Sequence, residues 1–206
     1  MHEEIARANW KLLIGSPYRQ HLVSCRRVDP TVSGPVVLVV MGVSGSGKTT
    51  VGSMLARRLQ WPFHEGDDLH PQANIDKMKA GNPLTDADRG PWLGLIADWV
   101  DQQLDAGQSG IITCSALKRI YRDVIDWRRR GVVFIFLDGP QKTVALRLAS
   151  RHSHFMPPQL LQSQFEDLEP PAPDEPGIRF DVDAPPQQIV DEIIEKLGLR
   201  DPTRLE

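Results

Sequence analysis

Residues Val36–Thr50, VVLVVMGVSGSGKTT, constrain this chain more than any other stretch. Apolar Val36–Val40 and Met41 lead into a glycine-rich turn that ends in Gly47-Lys48-Thr49. The spacing Gly42-x-x-x-x-Gly47-Lys48-Thr49 is that of a phosphate-binding loop. A buried strand delivers such a loop, and backbone N–H groups unhindered by bulky side chains turn inward onto phosphate oxygens. The following helix points the positive end of its dipole at the same anion. Apolar Val51, Met54, Leu55 and Leu59 recur at three- to four-residue spacing, so that helix is predicted from about Lys48 to Leu59. This context favours a nucleotide site over a chance match in a Gly/Ser linker. Gly42, Val43, Ser44, Gly45, Ser46, Gly47, Lys48, Thr49 and Thr50 then form the cradle. Lys48 reaches the β- and γ-phosphates, and the Thr49 hydroxyl suits Mg²⁺.

The rest of the chain supplies the body for this loop. Further strands are predicted near Trp61–Phe63, at Gly110–Cys114, Val132–Leu137 and Ile178–Val182. Helices are predicted at Asn74–Ala80, from a capping box Thr85-x-x-Asp88 through Leu104, at Ala116–Arg130, Pro140–Arg151, Pro158 to about Leu168, and Pro185–Leu197. Trp92 and Trp99 fall on the apolar face of the second of these helices and are expected in the core. Apolar strands alternating with amphipathic helices mean a three-layer α/β/α domain around a five-stranded parallel sheet, nucleoside-kinase-like in build. The domain is expected over 35–198, with a lid at about 152–176. Residues 1–34 read as a poorly ordered N-terminal extension and 199–206 as a fraying tail. The lack of a central apolar region argues against a secretory leader for that extension, and Glu3 and Glu4 sit where organelle-targeting peptides avoid acids.

Composition narrows the setting. A net charge of −3 gives no broad basic surface for nucleic acid. No run approaches the roughly 18 apolar residues of a membrane span. The cysteines are Cys25 and Cys114, which are not expected to pair, so a reducing cytoplasm is the natural location. His152 and His154 lack metal-site spacing, and zinc is not expected.

A phosphate loop alone does not choose among a kinase, a switch GTPase and a mechanical ATPase. There is no Asn-Lys-x-Asp guanine signature, and Asp174–Gly177 lies in a proline-rich loop instead of after a strand. No apolar strand ends in an acidic pair; the third ends in Cys114-Ser115. A polar, turn-rich insert follows the second strand, at a strand carboxyl end where open α/β sheets bind ligands. These features favour a small-molecule kinase.

The insert also carries a resemblance. Gly66-Asp67-Asp68-Leu69-His70-Pro71, Asn74-Ile75-Asp76-Lys77-Met78, Gly81, Pro83-Leu84, Asp86, Asp88-Arg89 and Pro91-Trp92 resemble the gluconokinase family. So do Cys114-Ser115-Ala116-Leu117-Lys118, Tyr121-Arg122-Asp123, Arg147-Leu148, Arg151, His154-Phe155-Met156 and Leu160-Leu161-x-Ser163-Gln164-Phe165-x-x-Leu168-Glu169. The match runs from about Val36 to Leu197. The resemblance implies transfer of the ATP γ-phosphate to the 6-hydroxyl of D-gluconate, with Mg²⁺, in a homodimer that feeds the pentose phosphate pathway.

The residues fit such an acceptor in kind. A polyhydroxylated acid needs a cation for its carboxylate, and Arg89, Lys118 or Arg122 can supply it. Asp67 and His70 can hold hydroxyls, and Lys77 can join them. Asp67 is the favoured base or Mg²⁺ ligand, with Asp68 as its alternate. Arg147 and Arg151, one helical turn apart, can meet ATP phosphates or stack on adenine. Plainer roles stand beside these. Arg89 can pair with Asp86 or Asp88, Arg122 with Asp123 or Asp126, Lys77 can lie on a solvated helix face, and His70 can cap Pro71. Lys48, Asp67, Lys118 and Arg151 are the candidate catalytic groups. The rivals are a kinase of the same build acting on another small polyol or acid, such as shikimate, and a non-catalytic nucleotide-binding regulator.

Overall fold

A computed structural model describes residues 34–126, 131–150 and 158–203. The expectations for the N-terminal extension, for Arg128–Arg130, and for Arg151, His152 and His154 lie outside those residues. The elements are β1 (Val37–Met41), α1 (Lys48–Leu59), β2 (Phe63–His64), a 3₁₀ turn (Gly66–Leu69), α2 (Gln72–Lys79) and α3 (Asp86–Asp105). Then come β3 (Gly110–Thr113), α4 (Arg119–Asp126), β4 (Val132–Asp138), α5 (Gln141–Ala149), α6 (Pro158–Asp167), β5 (Gly177–Asp181) and α7 (Pro186–Lys196).

The sheet has the order β2-β3-β1-β4-β5, with every pair parallel. β1 is central and fully buried, because apolar side chains leave a strand on alternate faces and each face here has a cover. Leu38 and Val40 pack with Val51 and Leu55 of α1 and with Ile189, Val190 and Ile193 of α7. Val37, Val39 and Met41 pack with Trp92, Leu93 and Ile96 of α3 and with Tyr121 and Ile125 of α4. The chain leaves β1 toward β3 and β2 and later returns to the β4 side, so the ligand crevice opens at the carboxyl end of β1. Val40 lies opposite Thr113, which brings the loop after β1 out beside the end of β3.

The five-stranded parallel α/β/α architecture agrees with the sequence expectation, and so does the capping box. Thr85 accepts from the Asp88 amide and the Asp88 carboxylate accepts from the Thr85 amide. Most boundaries shift by a residue or two, and two of the shifts have a clear local cause. β2 is Phe63–His64, because Pro62 has no N–H and contributes only its carbonyl, which accepts from Ile111. The helix expected from Ala116 starts at Arg119. Ala116 is left-handed, at φ 44°, so the chain turns there before it coils.

The polar insert after β2 is fastened to this body at Gly66. Its N–H donates to Thr113 Oγ1 at 3.1 Å, and its carbonyl accepts from the buried Trp92 indole at 2.7 Å. A Cβ on Gly66 would lie 1.9 Å from the Thr113 carbonyl oxygen, which is backbone of the central sheet. No side chain fits there. Gly66→Ala is expected to destabilise the fold by about 2 kcal/mol or more, the scale of forced overpacking. Chemical denaturation measures it; a loss under about 0.5 kcal/mol would show that the insert is not held this way.

Candidate active site

The loop after β1 turns on Gly42–Gly47 and passes directly into α1, with Gly47 left-handed at φ 104° as the N-cap. The first-turn amides of a helix lack intrahelical acceptors, and the dipole adds positive potential there. Thr49 and Thr50 are exposed at that end. The Lys48 ammonium folds back onto the Val43 carbonyl at 3.1 Å. Ser46 is buried under the loop, and its Oγ has no partner.

Across the crevice, the 3₁₀ turn presents Asp67 with its side chain 68% exposed, while His70 behind it is 5% exposed. His70 stacks on Trp92 at 4.1 Å between ring centroids, and its Nε2 is 3.9 Å from Asp67 Oδ1. Burial depresses the His70 pKa, opposed by the Asp67 carboxylate and reinforced by Arg89. The imidazole is therefore a neutral platform for Asp67.

Cys114 marks where the halves meet. Its thiol is free and buried. It is pushed up to about 12, chiefly by burial; a hydrogen bond from Ala116 opposes the rise, the Asp67 carboxylate adds to it, and Lys48 and Arg89 oppose it. The loop lysine, the acceptor-side aspartate and the α3 arginine thus lie within electrostatic reach of one buried point. Three segments distant in sequence converge there.

The structure sorts the candidate cations by partner. Arg122 was expected at the acceptor, or paired with Asp123 or Asp126, and neither holds. It is 1% exposed and is bound through two nitrogens to Glu175, at 2.5 and 3.0 Å, while it donates to the carbonyls of Ala116, Leu117 and Glu169. With its fork occupied and its surface covered, Arg122 is a structural clamp. Lys118 bridges Asp86 at 3.0 Å and Asp167 at 3.2 Å. Burial works against its charge, but these two carboxylates outweigh burial and raise its pKa. Lys77 pairs with Asp88 at 2.5 Å, so it braces the capping box. Arg89 is different. It is buried, 5.7 Å from the Tyr121 ring centroid, and its Nε has no hydrogen-bond partner. Pairing of Arg89 with Asp86 or Asp88 is not what the geometry displays. Arg147, on α5, donates to the Val182 carbonyl at 2.6 Å, and its expected neighbour Arg151 lies outside the described residues.

One residue escaped the sequence reading. Glu65 directly follows β2, at its carboxyl end. It accepts a short hydrogen bond from Thr113 Oγ1, and its Oε2 is buried without a partner. The strand-end rule that singled out Asp67 applies equally to Glu65. Ser46 Oγ in the loop, Glu65 Oε2 after β2 and Arg89 Nε on α3 are thus buried polar atoms without a hydrogen-bond partner. Such atoms in a native protein call for a ligand or water. Among the described residues no cluster of His, Cys, Asp and Glu forms a ready metal cage. An exposed threonine hydroxyl beside a phosphate cradle, with carboxylates opposite, does suit an ion such as Mg²⁺ that binds mainly through phosphate oxygens and water.

Comparison with known proteins agrees with this geometry. The shikimate kinase family matches residues 44–198. The chain is 49% identical over 167 residues to a gluconokinase of Gluconobacter oxydans, spanning 81% of this chain and 94% of that one. It is 41% identical over 160 residues to the thermoresistant gluconokinase of Escherichia coli, spanning 77% and 91%. A gluconokinase structure from Sinorhizobium meliloti superposes with a TM-score of 0.73 at 45% identity, covering 80% of this chain and 92% of that one. An APS kinase from Mycobacterium tuberculosis, at 18% identity and a TM-score of 0.58, shares the fold.

Two measurements probe the charge network. Arg122→Met leaves Glu175 buried without its partner and is expected to cost about 3–5 kcal/mol of stability by denaturant unfolding. Asp88, held chiefly by Lys77 and then by Thr85, has a pKa of about 2 against an ordinary 3.8. A depressed carboxylate contributes stability above its unfolded pKa and loses it as the folded one is approached. The difference in Tm between the wild type and Asp88→Asn should therefore be full above pH 3.8 and close as the pH falls toward 2. A difference that does not change over that range would contradict the pairing.

Proposed function

Since the chain belongs to the shikimate kinase family of P-loop kinases and, within it, to the gluconokinases, we propose that it phosphorylates D-gluconate at the 6-hydroxyl with ATP. The observation that carries the reading is Arg89. It is a buried guanidinium with a partnerless donor, within electrostatic reach of the same buried thiol as Asp67 and Lys48. A polyol hydroxyl could accept from that donor, but a carboxylate meets it with a stronger, charge-assisted bond.

The steps follow from placement. The loop amides and Lys48 hold the β- and γ-phosphates. Arg89 anchors the sugar-acid carboxylate, which leaves the far end of the chain facing the γ-phosphate. Asp67 accepts the proton of the 6-hydroxyl as its oxygen bonds to the γ-phosphorus and the bond to the β–γ bridging oxygen breaks, releasing ADP. His70 keeps Asp67 in place. Thr49, with Glu65 acting through water, would hold Mg²⁺, which would neutralise charge on the transferring phosphate. Phosphoryl transfer asks the protein mainly for this positioning and charge stabilisation. Arg147 is assigned to the nucleotide side, and the lid expected at about 152–176 would exclude water from the reaction.

Among the described residues, no helix is long and apolar enough to cross a membrane. A cytoplasmic homodimer completes the proposal, and gel filtration tests the dimer.

Coupled ADP release with ATP, Mg²⁺ and a panel of sugar acids tests the reaction. Gluconate should be the preferred acceptor; turnover on shikimate or a nucleoside monophosphate without gluconate would overturn it. Lys48→Ala should lower the rate by about 10²–10³, the scale for losing a preorganised charge-stabilising donor. Asp67→Asn should cut turnover much more than ATP affinity. Equal losses in both would move Asp67 to the nucleotide or metal.

A further inference from the structure

Helix α6 reaches across the fold to the phosphate loop. The side-chain oxygen of Gln164 accepts from the Ser44 amide at 2.7 Å, joining residues 120 apart in sequence. Only the oxygen of a Gln amide can accept from a backbone N–H, so the side-chain orientation follows from chemistry. The contact is built in. Val43, Leu117, Val144 and Leu161 form a small buried cluster, with Leu148, Phe165 and Leu168 packed on it. A Cβ on Gly45 would lie 2.6 Å from Leu148 Cγ, so α5 presses on the next residue of the loop. The end of α6 is fixed as well. The Glu169 amide donates to the Leu117 carbonyl, the Glu169 carboxylate accepts from the Arg119 amide, and Asp167 meets Lys118.

These contacts divide the loop amides into two sets. Gly42 donates to the Ser115 carbonyl, Ser46 to the Val43 carbonyl and Ser44 to Gln164. Protein acceptors therefore hold the Gly42, Ser44 and Ser46 amides, and among these only the acceptors of Gly42 and Ser44 lie outside the loop. A loop whose curvature is set before the anion arrives loses less conformational entropy on binding.

We propose that Gln164 is a positioning residue for the phosphate donor. By holding the Ser44 amide, it keeps the Gly42–Thr49 cradle in its phosphate-binding curvature. This rests on the reading of that loop as the ATP site. It adds that the grip on nucleotide is set from α6, a helix outside the loop.

Gln164→Met keeps the length and apolar contacts and removes the acceptor. Gln164→Glu keeps the acceptor and adds a negative charge beside the bound phosphates. Calorimetric titration of each full-length variant with ADP and with ATP, without acceptor, separates this test from the identity of the acceptor. For the methionine variant, ADP and ATP should bind about 3- to 10-fold more weakly, the effect of one hydrogen bond, with KM for gluconate and Tm nearly unchanged. For the glutamate variant the loss should be larger for ATP than for ADP and should shrink as salt is raised. Wild-type ATP affinity in the methionine variant would overturn the proposal, and so would equal losses for ATP and gluconate. Hydrogen exchange of the Ser44 amide in the wild type gives a readout that needs no variant: slow exchange is expected, and fast exchange would overturn the proposal. Tight nucleotide binding without gluconate turnover would defeat the assigned reaction and leave the role of Gln164 standing.

Discussion

Everything on the acceptor side depends on how closely Gly66 approaches β3. The chain leaves β2 after two residues and must place a long polar insert opposite a phosphate loop that hangs from a different strand. It does so by pressing backbone against backbone. The Gly66 amide meets the Thr113 hydroxyl, its carbonyl meets the Trp92 indole, and the absent side chain permits the contact. Thr113 also holds Glu65, and Trp92 also supports His70. One junction thus orients a carboxylate, an aspartate-bearing turn and a histidine platform. β1 lies next to β3 in register, so the same junction sets the distance from acceptor to donor.

A second constraint sorts the positive charges. Burying a guanidinium is costly unless its donors are met, and removing one partner of a buried pair costs more than the pair contributes. Arg122 obeys this completely, with Glu175 and backbone carbonyls around it, and so ties the 169–175 stretch to the turn before α4. Lys118 and Lys77 are met by carboxylates. Arg89 keeps a buried donor without a partner, which is the condition expected of a group whose partner arrives as a ligand. Chemistry concentrates where the fold leaves such debts open.

The layers, the parallel sheet and the turn from β1 into α1 were legible in sequence because they rest on local patterns. Hydrophobic runs of strand length, the capping box at Thr85 and the Gly42–Thr49 spacing each involve residues close together in the chain. Arg122 was misread because its partner, Glu175, is 53 positions away and no helical spacing reveals it. The helix start at Arg119 was misplaced because the left-handed turn at Ala116 is held by contacts from Arg122 and from the loop after α6, not by a glycine. Glu65 was passed over because the resemblance drew attention to the aspartate after Gly66. Gln164 carries no role legible in sequence, since only the fold brings it to Ser44.

The carboxylate contact proposed for Arg89 would make this site one for an acid instead of a polyol. D-Glucitol carries the hydroxyls of gluconate without the carboxylate, so the ratio of kcat/KM for gluconate to that for glucitol isolates the carboxylate contact. In the wild type the ratio should be large, and Arg89→Met should lower it by about 10²-fold, the loss of a charge-assisted contact worth about 2–3 kcal/mol, while KM for ATP stays near its wild-type value. A variant that keeps the wild-type preference for gluconate would contradict the assignment of Arg89.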